Sequence, residues 1–459
     1  MGLANSLGEY FDVESHGSDV RTEVVAGITT FLAMSYIIVV NPFILAEAIT
    51  IPGYKFIEVV QMIAIATILS SALATAVMAL YANRPFGLAP GMGLNAFFAF
   101  SVVLGLGIPW QTALAAVFVE GVLFMALTAI GAREYVINLF PEPVKFAVGA
   151  GIGVFLLFIG FQEIGIIVAD KATLVSLGNI ASSPASILGT LGIVLTLLLW
   201  ARGVTGSIII GVLSTAVAGW ALTLGGVYQR GVVTPKTLPS AQYDITPLVG
   251  AFVDGLSGVD PLTFTFVLFT FFFVDFFDTA GTLIGVSQFG DFLDEEGELP
   301  EMDKPLMADA IGTTFGAIVG TSTVTTFIES STGVEEGGST GLTALVIAAC
   351  FLVSLVLIPV VAAVPNYASF LALVVVGIMM FQGVADVDWS NPAWAVSGAL
   401  TIVVMPLAYS IADGLAAGIV SYPVMKAAMG EYEDVQLGQW VLAAIILAYY
   451  VLQTGGYIL

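Results

Sequence analysis

Pro85-Phe86-Gly87-Leu88-Ala89-Pro90-Gly91-Met92-Gly93 and Thr321-Ser322-Thr323-Val324-Thr325-Thr326 are the two stretches on which the fold turns. The first holds two prolines and three glycines, and the second is a β-branched run between Gly320 and Gly333. Neither favours helix, because Pro90 pushes Ala89 toward extended geometry and threonine and valine prefer strands. Both nevertheless lie within otherwise apolar sequence. Irregular backbone at bilayer depth survives only where it is buried in protein or lines a cavity. Interrupted spans at matching positions in two halves of a chain point to a transporter's binding site.

Outward from these stretches, apolar runs fill the chain. A first series lies near 22–46, 58–81, 86–104, 110–131, 143–161, 185–200 and 205–226, and a polar stretch, 227–260, follows. A second lies near 262–287, 305–320, 321–333, 341–364, 366–384, 393–410 and 413–429, with a last run near 437–457. Each interruption is the third member of its series, so the halves read as an internal repeat. Gly206-Ser207-Ile208-Ile209-Ile210-Gly211-Val212-Leu213-Ser214 also echoes Asp413-Gly414-Leu415-Ala416-Ala417-Gly418-Ile419-Val420-Ser421. Runs of about 20 apolar residues are long enough to cross a bilayer. With 58% hydrophobic and 10% charged residues, against about 25% charged in soluble domains, the chain reads as an all-α polytopic membrane protein of fourteen or fifteen spans. Its expected divisions are an N-terminal segment, 1–21, a first repeat, 22–226, a connecting loop, 227–261, and a second repeat, 262–459.

The net charge is −23, which argues against nucleic acid as a partner. Acids crowd outside the apolar runs, most densely from Asp291 through Glu298 to Asp303, as solvated loops that suit a high-salt setting. Cys350 is the single cysteine and His16 the single histidine, so sites built on histidines or on several thiolates are excluded and no cofactor is expected. With the N-terminus cytoplasmic, Arg21, Arg84, Arg133, Lys145, Arg202 and Lys304 fall inside, and Lys55, Lys171, Arg230 and Lys236 fall outside.

A carboxylate at membrane depth costs about 2.5–3.5 kcal/mol, and each one needs a reason. Asp275 and Asp278, three residues apart in Val274-Asp275-Phe276-Phe277-Asp278-Thr279, share a helix face with Thr279 and Thr282 that should border a cavity. Glu329 follows the Thr-rich run, and Asn95 holds the equivalent place after the first interruption. Glu120 and Asp309 read as structural groups, and Asp413 as a helix cap. No lysine or arginine lies deep in the spans around the interruptions. Such groups suit a planar, neutral, polar ligand. A carboxylate accepts two adjacent N–H groups, as a purine presents them, backbone at Gly93 and Thr326 serves the other edge, and aromatic rings stack on the faces. Carboxyls buried without a cation are also suited to taking up and releasing a proton.

At these residues the sequence resembles the nucleobase–cation symporters (xanthine/uracil permeases), and among them the AzgA-type adenine/guanine/hypoxanthine permeases. The resemblance rests on Arg21-Thr22-Glu23 through Leu32 with Asn41-Pro42, on Gly91-Met92-Gly93-Leu94-Asn95-Ala96-Phe97-Phe98, and on Val274-Asp275-Phe276-Phe277-Asp278-Thr279-Ala280-Gly281-Thr282-Leu283. It continues through Ala308-Asp309-Ala310-Ile311-Gly312-Thr313-Thr314, Gly320-Thr321 through Ser330, and Gly337-Gly338-Ser339-Thr340-Gly341-Leu342. It implies fourteen segments in two inverted seven-segment repeats, with a core (segments 1–4 and 8–11) and a gate (5–7 and 12–14). The third and tenth segments would be short strands leading into half-helices. It implies proton-coupled import of hypoxanthine, guanine and adenine across the plasma membrane, with sodium an alternative coupling ion. Substrate would meet Asn95, Asp275, Glu329, Gly93 and Thr326, Asp275 and Asp278 would carry the proton, and a homodimer would form through the gate. The run at 437–457 departs from this pattern: either 413–429 does not fully span, or the chain ends outside.

An anion carrier of the same general fold is the alternative, and a ring of Asp275, Asp278 and Glu329 would repel its substrate. A cation channel would use the same carboxylates as a selectivity ring. A membrane enzyme would need a nucleophile–base pair or a metal cluster that the missing membrane histidines deny it.

Overall fold

The computed structural model describes residues 3–131, 140–236, 240–257, 260–294 and 299–455; Arg133 and Glu295, Glu296 and Glu298 of the acidic run lie outside them. Helix α1 (Leu3–Tyr10) precedes α2 (Val20–Met34) and α3 (Ile37–Ala48), which together form one apolar span interrupted at Ser35-Tyr36. Next come α4 (Phe56–Val77), strand β1 (Leu88–Pro90), α5 (Met92–Ala96), α6 (Trp110–Ala129) and α7 (Glu142–Ile164). A hairpin of β2 (Ile167–Asp170) and β3 (Leu174–Leu177) leads to α8 (Pro184–Ala201) and α9 (Ser207–Leu224).

The second half contains α10 (Pro261–Phe289), α11 (Asp303–Val319), β4 (Val324–Thr326), α12 (Ser330–Glu335) and α13 (Gly341–Val353). It closes with α14 (Asn366–Phe381), α15 (Pro392–Ala408), α16 (Ile411–Ala428) and α17 (Leu437–Thr454). Among the described residues nine helices are long and apolar enough to cross a membrane. The expected runs that fall short do so for local reasons. Those at 86–104 and 321–333 are divided into strand and helix, α11 and α15 have only 17 residues each, and α16 and α17, from the runs at 413–429 and 437–457, also stand outside the nine.

Both interrupted stretches are strands, and they pair with each other. β1 and β4 run antiparallel with Leu88 opposite Thr326, Ala89 opposite Thr325 and Pro90 opposite Val324. Two further bonds extend the ladder, Gly91 N to Thr323 O and Phe327 N to Gly87 O, each 3.0 Å. The outer edges still need partners, because an unpaired backbone group away from water is costly. Thr75 on α4 supplies them to β1: its Oγ1 donates to Leu88 O at 3.1 Å and accepts from Leu88 N at 2.9 Å. Thr313 on α11 serves β4 in the same way, donating to Val324 O at 2.9 Å and accepting from Val324 N at 3.2 Å. A two-stranded sheet buried in a helical bundle thus has one threonine closing each edge.

The faint Gly206–Ser214 echo has a packing counterpart. Gly211 on α9 lies against Thr196 of α8, and Gly418 on α16 lies against Thr401 of α15, too close in both cases for a side chain. Each threonine hydroxyl is turned back on its own helix, to Gly192 O at 2.8 Å and Ser397 O at 2.9 Å. The final helix returns alongside α16. Tyr450 Oη donates to Asp413 at the start of α16, and Tyr449 stacks on Phe266 near the start of α10 with ring centroids 4.2 Å apart.

Candidate functional site

A cavity of about 710 Å³ lies against the strand pair. On one side stand Gly91, Met92 and Gly93 just after β1, Thr325 and Thr326 of β4, and α10, and on the other Val148 and Ile152 of α7 with Val376, Met379 and Met380 of α14. It extends from the strands to the end of the bundle where α7 begins and α14 ends, so Lys145, Gln382 and Asp386 also line it.

Glu329 and Asp278 present the two carboxylates nearest the strands. Glu329 directly precedes α12, and its Oε1 accepts from Tyr36 Oη at 2.8 Å. Tyr36 sits in the interruption between α2 and α3 with its ring only 1% exposed, so it holds the carboxylate in one orientation. Asp278 faces the glycine turn after β1: a side-chain carbon at Gly91 would stand 3.6 Å from Asp278 Oδ2 and collide with Thr325 Cγ2 at 2.6 Å. Glycine at 91 therefore keeps open the corner where strand, carboxylate and cavity meet. Gly93 and Thr326 line the same space, and Phe277 and Phe327 add aromatic surface.

Not every expected residue reaches the lining. Asn95 is fully buried on α5, its Nδ2 donates to Pro90 O at 3.3 Å, and its Oδ1 accepts from Ser322 Oγ. It ties the turn after β1 to the chain entering β4. Asp275 lies one layer behind the cavity and accepts from Thr279 Oγ1 at 3.4 Å. Thr279 also donates to Asp309 at 3.0 Å and meets Thr325 Oγ1 at 2.6 Å. Glu120 accepts from Thr323 Oγ1 at 2.9 Å, which brings a third carboxyl to this hidden layer.

Two contributors were invisible in the sequence. Lys145 counts there as a loop charge, yet it lines the cavity, with Nζ 5.9 Å from the centre of the Phe277 ring. It is the single basic residue among the described lining residues. Tyr36 had no signal at all, since a tyrosine within an apolar run looks like packing. Among the described residues no group of three or more His, Cys, Asp or Glu side chains has the geometry to hold a metal ion.

Glu23, in the first of the motifs, is wholly buried and does not line the cavity. Its carboxylate accepts from Ser339 N and Oγ at 3.1 and 3.0 Å, and from Thr343 N and Oγ1 at 3.2 and 2.6 Å. It closes the first turn of α13 and ties it to α2.

The model of the Permease family (Xan_ur_permease) matches residues 21–451. The putative permease MJ0326 of Methanocaldococcus jannaschii is 44% identical over 450 residues, covering 97% of this chain and 98% of that protein. The adenine permease AdeP of Escherichia coli K12 is 39% identical over 93% of this chain and 92% of its own length. The guanine/hypoxanthine permease PbuO of Bacillus subtilis 168 is 40% identical over 93% of this chain and 96% of its own. Among solved structures, the transmembrane domain of the cyanobacterial bicarbonate transporter BicA superimposes with a TM-score of 0.57 at 15% identity, over 87% of this chain and 97% of that domain. That likeness establishes a shared fold.

Proposed function

We propose that this multi-pass membrane protein, which belongs to the Permease family, imports the purine nucleobases hypoxanthine, guanine and adenine by proton symport. The observation that carries the reading is the Tyr36–Glu329 pair opening into the cavity beside Asp278 and the glycine turn. A carboxylate held in one orientation can accept the adjacent N–H groups of a purine as a charge-assisted pair. Gly93 and Thr326 offer polar backbone to its other edge, and Phe277 and Phe327 offer ring faces. The adenine and guanine/hypoxanthine permeases among the relatives support the substrate class.

In this account Glu329 and Asp278 meet the ligand directly. Asn95 and Asp275 act from one layer behind, Asn95 by fixing the turn after β1 and Asp275 by holding a proton. Segments 1–4 and 8–11 form a core that moves against a gate of segments 5–7 and 12–14, in two inverted repeats, with dimers made through the gate. With the N-terminus cytoplasmic in the plasma membrane, the end of the bundle near Lys145 and Asp386 faces the cytoplasm, and the cavity opens inward.

An anion carrier shares the fold, but Asp278 and Glu329 at the strand end of the cavity would repel its substrate. Radiolabelled hypoxanthine uptake into cells lacking their own purine carriers tests the function. Saturable uptake that guanine and adenine compete for is the expected result. Wild-type protein that inserts correctly yet takes up no hypoxanthine, in either a proton or a sodium gradient, would return the anion carrier to the front.

A further inference from the structure

Behind β4, away from the cavity, three carboxyls from three helices meet: Glu120 on α6, Asp275 on α10 and Asp309 on α11. All three side chains are wholly buried. Each has one oxygen at a hydroxyl: Thr323 donates to Glu120, and the single Thr279 hydroxyl lies 3.0 Å from Asp309 and 3.4 Å from Asp275, which share its one proton. The other oxygen of each, Glu120 Oε1, Asp275 Oδ2 and Asp309 Oδ2, is buried and receives no hydrogen bond from a donor group. The Glu120 and Asp275 carboxyls nevertheless interact directly with each other.

Two ionised carboxylates only accept, so this contact is a hydrogen bond only when one of them carries a proton. The titratable groups that reach Glu120 are Asp275 and Asp309, and no lysine or arginine among the described residues reaches it. Asp254, in the short turn packed on the same helix, is solvent-exposed. The cluster's geometry holds no metal ion. It does connect with the cavity, because Thr279 touches Asp275, Asp309 and Thr325, and Thr325 lines the cavity wall.

We propose that Glu120 is a positioning residue for the coupling proton, which resides in the Glu120–Asp275–Asp309 cluster and is shared between the Glu120 and Asp275 carboxyls. One O–H bond forms when Asp275 takes a proton from water in the outward-facing cavity, and the same bond breaks when that proton returns to water inside. Glu120 holds the proton in an O–H···O contact and so sets the pH at which the site loads. β4 lies between this layer and the ligand, and Thr279 and Thr325 link occupancy of the cluster to the strand on which the ligand rests. The inference deepens the symport reading and depends on it.

The experiment uses full-length protein in liposomes, with hypoxanthine as the probe. It compares accumulation driven by a pH gradient, acid outside, with exchange at equal pH. Glu120→Gln keeps the shape of the side chain but cannot share a titrating proton. It is expected to retain exchange, to lose gradient-driven accumulation by about tenfold or more, and to lose the pH dependence of transport. Glu120→Asp is expected to restore accumulation with a displaced pH profile. Accumulation and a pH profile equal to wild type in Glu120→Gln would overturn the inference. So would wild-type accumulation driven by a sodium gradient alone. An absence of hypoxanthine transport by the wild type would overturn the substrate reading instead. The cluster is then read directly, by the infrared C=O band of a protonated carboxyl in the purified protein. Loss of that band in Glu120→Gln supports shared protonation, and an unchanged band contradicts it.

Discussion

Glu329 and Asp278 face the same cavity, but they are held differently. Glu329 is fixed by one hydroxyl, Tyr36 Oη at 2.8 Å. Tyr36→Phe removes that bond and keeps the ring, so KM for hypoxanthine should rise about 2- to 10-fold with little change in kcat. Uptake kinetics in whole cells would show it, and an unchanged KM would separate Tyr36 from the site. The two aspartates of α10 illustrate what the sequence could reveal. Their spacing suggests one shared face on the cavity, but three residues of rotation leave them about 60° apart. Asp278 therefore meets the cavity while Asp275 turns behind β4. A charge at membrane depth was enough to single out both. Lys145 escaped the same reasoning because it stands three residues into α7, where sequence alone shows only a loop charge.

At the scale of the elements, the paired strands were legible because prolines, glycines and a β-branched run have no good place in a membrane helix. Their partners in the ladder were not legible. Thr75 and Thr313 look like any threonine in an apolar helix, and only the strand edges they close give them a role. Thr313→Val keeps the volume but leaves both Val324 backbone groups unpaired, a cost of about 1–3 kcal/mol. Thermal unfolding in detergent should show a clear fall in Tm, and an unchanged Tm would mean that β4 needs no such closure. Glu23 is a related case, a motif residue whose work is structural. Glu23→Ala strands the amide and hydroxyl donors at the start of α13 and should cost about 2–5 kcal/mol. The same unfolding assay measures it, while KM in whatever protein reaches the membrane should stay near wild type.

For the whole molecule, the two series of apolar runs match the long helices and the two interrupted stretches, but they give no sign of the β2–β3 hairpin or of the break between α2 and α3. The sequence left the last run open, because hydropathy cannot say where a helix docks. Tyr449 and Tyr450 place α17 against α10 and α16. Orientation rests on basic residues and is open to a direct test. With Cys350 replaced by serine, a cysteine at Lys171 should react with a membrane-impermeant maleimide on intact cells, and one at Arg202 should not. The reverse pattern would invert the topology and turn the cavity outward. Calorimetric titration of the purified protein with hypoxanthine shows whether the cavity takes a purine. Wild type should bind one hypoxanthine per chain, and Glu329→Gln, equally well folded, should bind about 10- to 100-fold more weakly. Folded wild-type protein that binds no purine, or a Glu329→Gln variant that binds as tightly as wild type, would contradict the account.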